Sequence, residues 1–207
     1  MYISKNLVRR IGMMCVGVFI LGVAVSLSVY AHLGSDPGTC MNLGVSQQVG
    51  LSFGVWQLLL NCIILIFMFI FSRHLIGIGT VVNMTCIGFL ADFLKSIYAR
   101  ILPAEPAVAA RILIMAFAVV LLAFGAALYI YPRLGISPYD SIGFIFAERL
   151  HIQFRWCRIT CDVLAVLIGF LCGSVVGVGT VFTAFCMGPL IKGFGDLIAK
   201  KFPLQFD

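Results

Sequence analysis

Apolar residues run almost unbroken over 11–31, 54–72, 76–97, 112–132, 156–173 and 177–198. Each run is close to the roughly 20 residues that cross a bilayer's hydrocarbon core as an α-helix. None shows the strict alternation of a half-buried strand. Two shorter segments, 38–50 and 138–150, follow the first and fourth runs. They are too short to span and more polar: one carries Asn42, Gln47 and Gln48, the other Asp140, Glu148 and Arg149. The pattern predicts an all-α, polytopic membrane protein with six spans and two short broken or re-entrant helices.

The pattern also repeats. Shifted by 101 residues, Arg10-Ile11 falls on Arg111-Ile112, Tyr30 on Tyr131, Leu33-Gly34 on Leu134-Gly135 and Asn61 on Asp162. The punctuation matches best: LGSDP aligns with LGISP, and about forty residues later GIGTV aligns with GVGTV. One membrane domain, 1–207, thus divides into repeat one, about 10–100, and repeat two, about 111–200. Three spans per half turn the second half upside down, so the repeats are expected to be inverted in topology.

Composition agrees. Of 207 residues, 62% are hydrophobic and 11% charged, against about 45–50% and 25% in soluble domains. The net charge of +6 sits mostly at helix ends, which reads as orientation rather than nucleic-acid binding. With the N-terminus inside, Lys5, Arg9, Arg10, Arg73, Arg133, Arg149, Arg155, Arg158, Lys200 and Lys201 face the cytoplasm, and Lys95, Arg100 and Arg111 face out. Both termini are therefore expected in the cytoplasm. The first run is longer than a signal peptide's apolar region and the repeat requires it, so it reads as retained. The eight cysteines include no CxxC pair, and they read as small buried side chains. His32 and His151 lack ligand partners at fixed spacing, so neither a metal nor another cofactor is expected.

The candidate chemistry lies at the breaks. Pro37 and Pro138 suit the first position of a helix. Ser35 or Asp36, and Ser137, are N-cap residue types just before them. Two helix N-termini brought near a shared centre would present free N–H groups to a solute; the alternative is a surface turn followed by an interfacial helix. Ionisable residues inside spans point to function. Asp162 is the candidate coupling-ion or proton site, with Arg158 one turn before it on the same face; the alternative is a structural ion pair. Ser35, Asp36, Asn42, Gln57, Asn61, Thr80, Ser137, Asp140 and Thr180 are the candidate solute-binding residues. Gln57 and Asn61 share a helix face and could equally bond a neighbouring helix. Thr80 and Thr180 start the third helix of each half, where tight packing is the alternative role. Asp92, Lys95, Lys192 and Asp196 read as interfacial, and Trp56 and Trp156 as interfacial anchors.

LGSDPGTCMNLGVSQQVGLSFGVWQLLLN followed by GIGTVVNMTCIGFLAD resembles the YitT/YczE-like family of small bacterial membrane proteins. The resemblance covers most of the chain and implies a bacterial inner-membrane location. It names no substrate.

These readings favour a secondary transporter of a small molecule or ion, with its site between the two halves. A membrane accessory or regulatory subunit acting through a protein partner is the alternative. No HExxH or DxD motif points to an enzyme. The expected partners are the lipid bilayer and the solute, with a homodimer compatible with so small a bundle.

Overall fold

The computed structural model describes residues 5–103 and 106–204. The chain forms α1 (Lys5–Ala31), α2 (Pro37–Val49), α3 (Phe53–Phe71), a 3₁₀ turn (Arg73–Leu75), α4 (Ile78–Ile101), α5 (Val108–Ile130), α6 (Pro138–Leu150), α7 (Phe154–Leu171) and α8 (Val178–Lys201). No strand occurs among the described residues. Helices α2 and α6 have 13 residues each, which gives about 20 Å of length, too little to cross about 30 Å of hydrocarbon.

Among the described residues, five helices are long and apolar enough to cross a membrane: α1, α3, α4, α5 and α8. The sixth expected span, α7, falls outside that set. Its 18 residues include Arg155, Arg158 and Asp162, and this charge lowers its apolar character. The outward faces suit lipid. Leu59, Ile63, Ile66 and Ile70 of α3 are exposed, as are Val178, Phe182 and Phe185 of α8. Apolar surface this continuous is not stable in water.

The centre is an antiparallel pair, α1 and α5. Met14, Val18, Leu21 and Val25 of α1 pack with Leu122 and Tyr129 of α5, and Phe53, Ile87 and Ala91 of α3 and α4 join them. The two backbones approach closely where both helices have glycine: a Cβ on Gly17 would lie 2.9 Å from the Gly125 carbonyl oxygen. Small residues at such a crossing replace the hydrophobic drive that lipid removes.

Each end of this pair is tied by an arginine. Arg10 Nε donates to the Pro132 carbonyl at 3.0 Å. Arg111 Nε donates to the Ala31 carbonyl at 2.8 Å, and its second nitrogen donates to the His32 carbonyl. Arg10 and Arg111 are equivalent under the 101-residue shift, so the same tie is made twice with the halves exchanged. In both cases a cation meets carbonyls that end a helix, where the dipole favours it. Arg111→Met is therefore expected to cost about 1–2 kcal/mol, since charged hydrogen bonds contribute about 1.5–3 kcal/mol when shielded and less here at the rim. The thermal unfolding midpoint in detergent checks this, and an unchanged midpoint would refute it.

A second contact also occurs twice. Gly79 N donates to the Leu134 carbonyl at 2.8 Å, and Gly179 N donates to the Leu33 carbonyl at 2.9 Å. The first joins the start of α4 to the LGISP loop. The second joins the start of α8 to the LGSDP loop. Each half's loop is clasped by the other half's glycine-threonine motif.

One expectation about an anchor changes. The indole N–H of Trp56 is buried and has no partner among the described residues, so it is not presented to a membrane interface. Trp156 is exposed. The difference follows from packing: Phe53 and Gly54, at the start of α3, are buried, and the edge of the half-buried Trp56 ring that carries the N–H turns inward with them.

Candidate functional site

The two short helices meet at their N-termini. Asp36 caps α2: the Thr39 N–H donates to its Oδ2 at 3.1 Å. Ser137 caps α6, its Oγ accepting from the Asp140 N–H at 3.1 Å. Proline follows each cap, where its missing N–H is not needed. The Tyr139 ring lies against Gly38: a Cβ there would sit 3.4 Å from Tyr139 Cδ1. The far ends of the helices have different neighbours. Gln48 Nε2 donates to the Cys172 carbonyl at 3.2 Å. Ser72 Oγ donates to Glu148 Oε2 at 2.9 Å, and His74 Nε2 lies 3.3 Å from Glu148 Oε1.

Helix α7 brings charge to this junction. Arg158 lies between two carboxylates. Its Nε donates to Asp162 Oδ2 at 3.1 Å, and its Nη1 pairs with Asp140 Oδ1. The Tyr139 hydroxyl donates to Asp162 Oδ1 at 2.8 Å, and the Ser137 hydroxyl donates to Asp140 Oδ2 at 2.7 Å. The Arg158 guanidinium also lies 5.4 Å from the Tyr139 ring centroid. Asp36 is within electrostatic range of both Asp162 and Arg158. The junction thus holds three carboxylates and one guanidinium. It also holds unsatisfied polar atoms. Asp36 Oδ1, Asn42 Oδ1 and the Tyr129 hydroxyl are buried with no hydrogen-bond partner among the described residues, and Tyr129 is within electrostatic range of Asp140. Buried polar atoms are normally paired, so each leaves room for a water, an ion or a solute as partner.

A cavity of about 370 Å³ approaches the junction from the end where α1 and α4 finish. Ser35 lines it, and Asp36 is the next residue. The lining also includes Gln47 of α2, Lys95 and Tyr98 of α4, and Ser174 of the α7–α8 loop.

The expected site residues separate into three groups. Asp36, Ser137, Asp140, Arg158 and Asp162 come together, and Asn42 lies one turn from Gly38, with its Nδ2 donating to the Gly38 carbonyl at 2.9 Å. Thr80 and Thr180 are elsewhere, fully buried in the clasps. Thr80 Oγ1 accepts from Gly77 N at 3.1 Å, and Thr180 Oγ1 accepts from Ser35 N at 3.2 Å. Their hydroxyls serve backbone groups. Gln57 faces α4, its Oε1 2.8 Å from where a Cβ on Gly88 would be. Asn61, one turn on, is buried.

Sequence reasoning missed Tyr139 and Tyr129. Tyr139 was legible only as the residue after Pro138, because its partner Asp162 is 23 positions away. Tyr129 carries no motif at all. The role of Asp92 was missed too: Gly54 N donates to its Oδ2 at 2.8 Å, so it holds the start of α3.

Ser137→Ala is expected to destabilise by about 1 kcal/mol, the usual worth of an N-cap hydroxyl. It also removes one of the two groups holding Asp140. Thermal unfolding of the variant checks this, and Ser137→Thr should recover most of the loss.

The model of the family of unknown function DUF6198 matches residues 8–196. The chain belongs to this family. Among its relatives is an uncharacterized protein of Haemophilus influenzae, 30% identical over 192 residues, covering 93% of this chain and 86% of the relative. The uncharacterized membrane protein YczE of Bacillus subtilis is 28% identical over 190 residues, covering 91% and 86%. The uncharacterized protein YyaS of the same organism is 25% identical, covering 90% and 92%. No solved structure matches the chain at a significant level. This DUF6198 member is a multi-pass helical membrane protein, and its relative YczE is likewise named a membrane protein. The family match spans both short helices and the charged junction between them.

Proposed function

We propose that this protein is a small secondary transporter of the bacterial cytoplasmic membrane, built from two inverted repeats, with both termini in the cytoplasm. The observation that carries the reading is the junction of α2 and α6, where two helix N-termini abut around Arg158, Asp36, Asp140 and Asp162. Half-helices whose N-termini point at a shared centre suit a solute site, because their dipole ends converge there. Charged side chains at such depth are costly and are kept for solute or ion handling. A proton or monovalent cation would offset the surplus of carboxylate over guanidinium, with Asp36 and Asp162 as its carriers.

The two reciprocal clasps supply the moving parts of the proposal. One holds Leu33 and Gly34 against the start of α8; the other holds Leu134 and Gly135 against the start of α4. Alternating access would loosen one clasp while the other stays closed, rocking one repeat against the other. The charge is not shared equally. The 101-residue shift relates Arg158 to Gln57, Asp162 to Asn61, Asp140 to Thr39 and Tyr139 to Gly38. The second half would therefore handle the coupling ion, and the first half would offer neutral polar groups.

The test is electrogenic or pH-linked flux in proteoliposomes against a broad solute library, with Asp162→Asn alongside. Flux abolished by Asp162→Asn while the variant stays folded is the expected result. Absence of flux for every solute and ion would sink the proposal.

A further inference from the structure

The cavity between α1, α2 and α4 has an unequal lining. Val29, Leu43, Leu102 and Val175 give it apolar walls. Lys95 is its one lysine or arginine, and no acidic side chain lines it among the described residues. Asp92, one turn before Lys95, is taken: its Oδ2 accepts from Gly54 N at 2.8 Å. No ion pair joins Lys95 to any described residue. Tyr98 lines the same space, but its hydroxyl is engaged: it lies 3.4 Å from Ser26 Oγ, whose single proton serves the Val23 carbonyl at 2.7 Å. One further donor is open. Gln47 has an exposed amide, whereas the neighbouring Gln48 is spent on the Cys172 carbonyl. The Tyr30 hydroxyl is spent as well, on the Pro103 carbonyl at 2.9 Å, while its ring stands 5.7 Å from that of Tyr98 and makes part of the wall.

An ammonium with no ion pair among the described residues and one free amide donor, set among apolar and aromatic walls, have one complementary ligand class. We propose that this cavity binds an amphipathic organic anion, a carboxylate or phosphate ester with a short apolar body, whose charged end is held by Lys95 and Gln47 and whose body lies against the Tyr98 ring. The volume of about 370 Å³ suits a small solute, since small-molecule pockets begin at about 300 Å³. This names the substrate class for the transport reading and rests on it: Ser35 lines the cavity, and the next residue, Asp36, belongs to the charged junction. The anion would arrive either from solution or as the headgroup end of a lipid, with the same chemistry in both cases.

The test uses full-length protein in a neutral maltoside detergent. Hexanoate, hexyl phosphate and uncharged hexanol are titrated calorimetrically into the wild type, Lys95→Gln and Lys95→Arg. Lys95 is exposed, so the variants should keep the wild-type unfolding midpoint. Both anions should bind more tightly than hexanol. Lys95→Gln should weaken the anions about tenfold, equal to one ion-pair contact of about 1.4 kcal/mol, and leave hexanol unchanged. Lys95→Arg should retain most of the affinity. Hexanol binding as tightly as hexanoate, no anion binding at millimolar concentration, or anion binding indifferent to Lys95→Gln would each overturn the proposal. Nanodiscs of neutral lipid, with and without anionic phosphatidylglycerol, separate the two sources: competition by the anionic lipid identifies a headgroup site, and its absence a soluble anion. The two readings fail separately. Lys95-dependent binding without flux keeps this site and ends the transport reading. Flux of some solute without anion binding does the reverse.

Discussion

Alanine at Gly77 or Gly177 is expected to lower the unfolding midpoint by about 6–12 °C, equal to about 3 kcal/mol for a chain of this size. These glycines sit where the third helix of each half meets the other half's loop. A Cβ on Gly77 would run into the Leu134 carbonyl, and one on Gly177 into the Leu33 carbonyl. The obstacle is backbone and cannot rotate away. Moving it breaks the Gly79-to-Leu134 or Gly179-to-Leu33 hydrogen bond and the threonine cap beside it. Gly34 and Gly135, on the facing loops, have φ of +95° and +112°, and a Cβ on either would strike the partner threonine hydroxyl. Both sides of each clasp therefore need glycine, one side for space and the other for space and left-handed backbone. Gly193→Ala is the control. Nothing lies within 4 Å of its Cβ position, so alanine there should be neutral or stabilise α8 by up to about 1 kcal/mol. Equal effects at Gly177 and Gly193 would refute the clasp as a structural element.

The second large effect is expected at Arg158. Arg158→Met leaves Asp140 and Asp162 facing each other without their shared cation, beside Asp36. Removing one partner of a buried ion pair costs about 3–5 kcal/mol, most of it the penalty of the charges left behind. The Arg158 side chain is 35% exposed, so the lower end, about 3 kcal/mol, is expected. The triple variant Arg158→Met, Asp140→Asn, Asp162→Asn should recover most of that stability, because no stranded charge remains. Its flux should stay at zero. This pattern separates the junction's role in folding from its role in transport: a merely structural cluster would regain both. Unfolding midpoints and proteoliposome flux, measured on the same preparations, decide it.

Much of the architecture is legible in the chain itself. The six long apolar runs and two short polar ones become eight helices, five of them long and apolar enough to span among the described residues, because a 3.6-residue period and a bilayer's thickness leave few alternatives. The caps are equally local. Asp36 and Ser137 stand just before prolines, and each bonds an N–H three residues on. The Arg158–Asp162 pair is one turn of one helix, so spacing alone places it. Thr80 and Thr180 show where that reasoning stops. Their motif was visible, but whether a buried hydroxyl meets solute or backbone depends on what the fold brings opposite, and here that is the other half's loop.

The long-range arrangement came from tertiary structure. Asp140 joins Arg158 across 18 residues, and Tyr139 joins Asp162 across 23. Gly38 meets Tyr139 from the other half of the chain. No periodicity encodes these distances, since they follow from how α6 and α2 each pack on α7. Lys95 gives the same lesson from the opposite direction. By sequence it is an interfacial lysine near the end of a span. Only the fold shows that Asp92 is bound to Gly54 N, that Lys95 has no ion pair among the described residues, and that a cavity opens beside it. Sequence determined which segments are helical, which must face lipid and where helices begin, because each depends on near neighbours and on the solvent. Tertiary structure decided which charges are satisfied and which polar groups face a cavity, because partnership depends on groups distant in the chain.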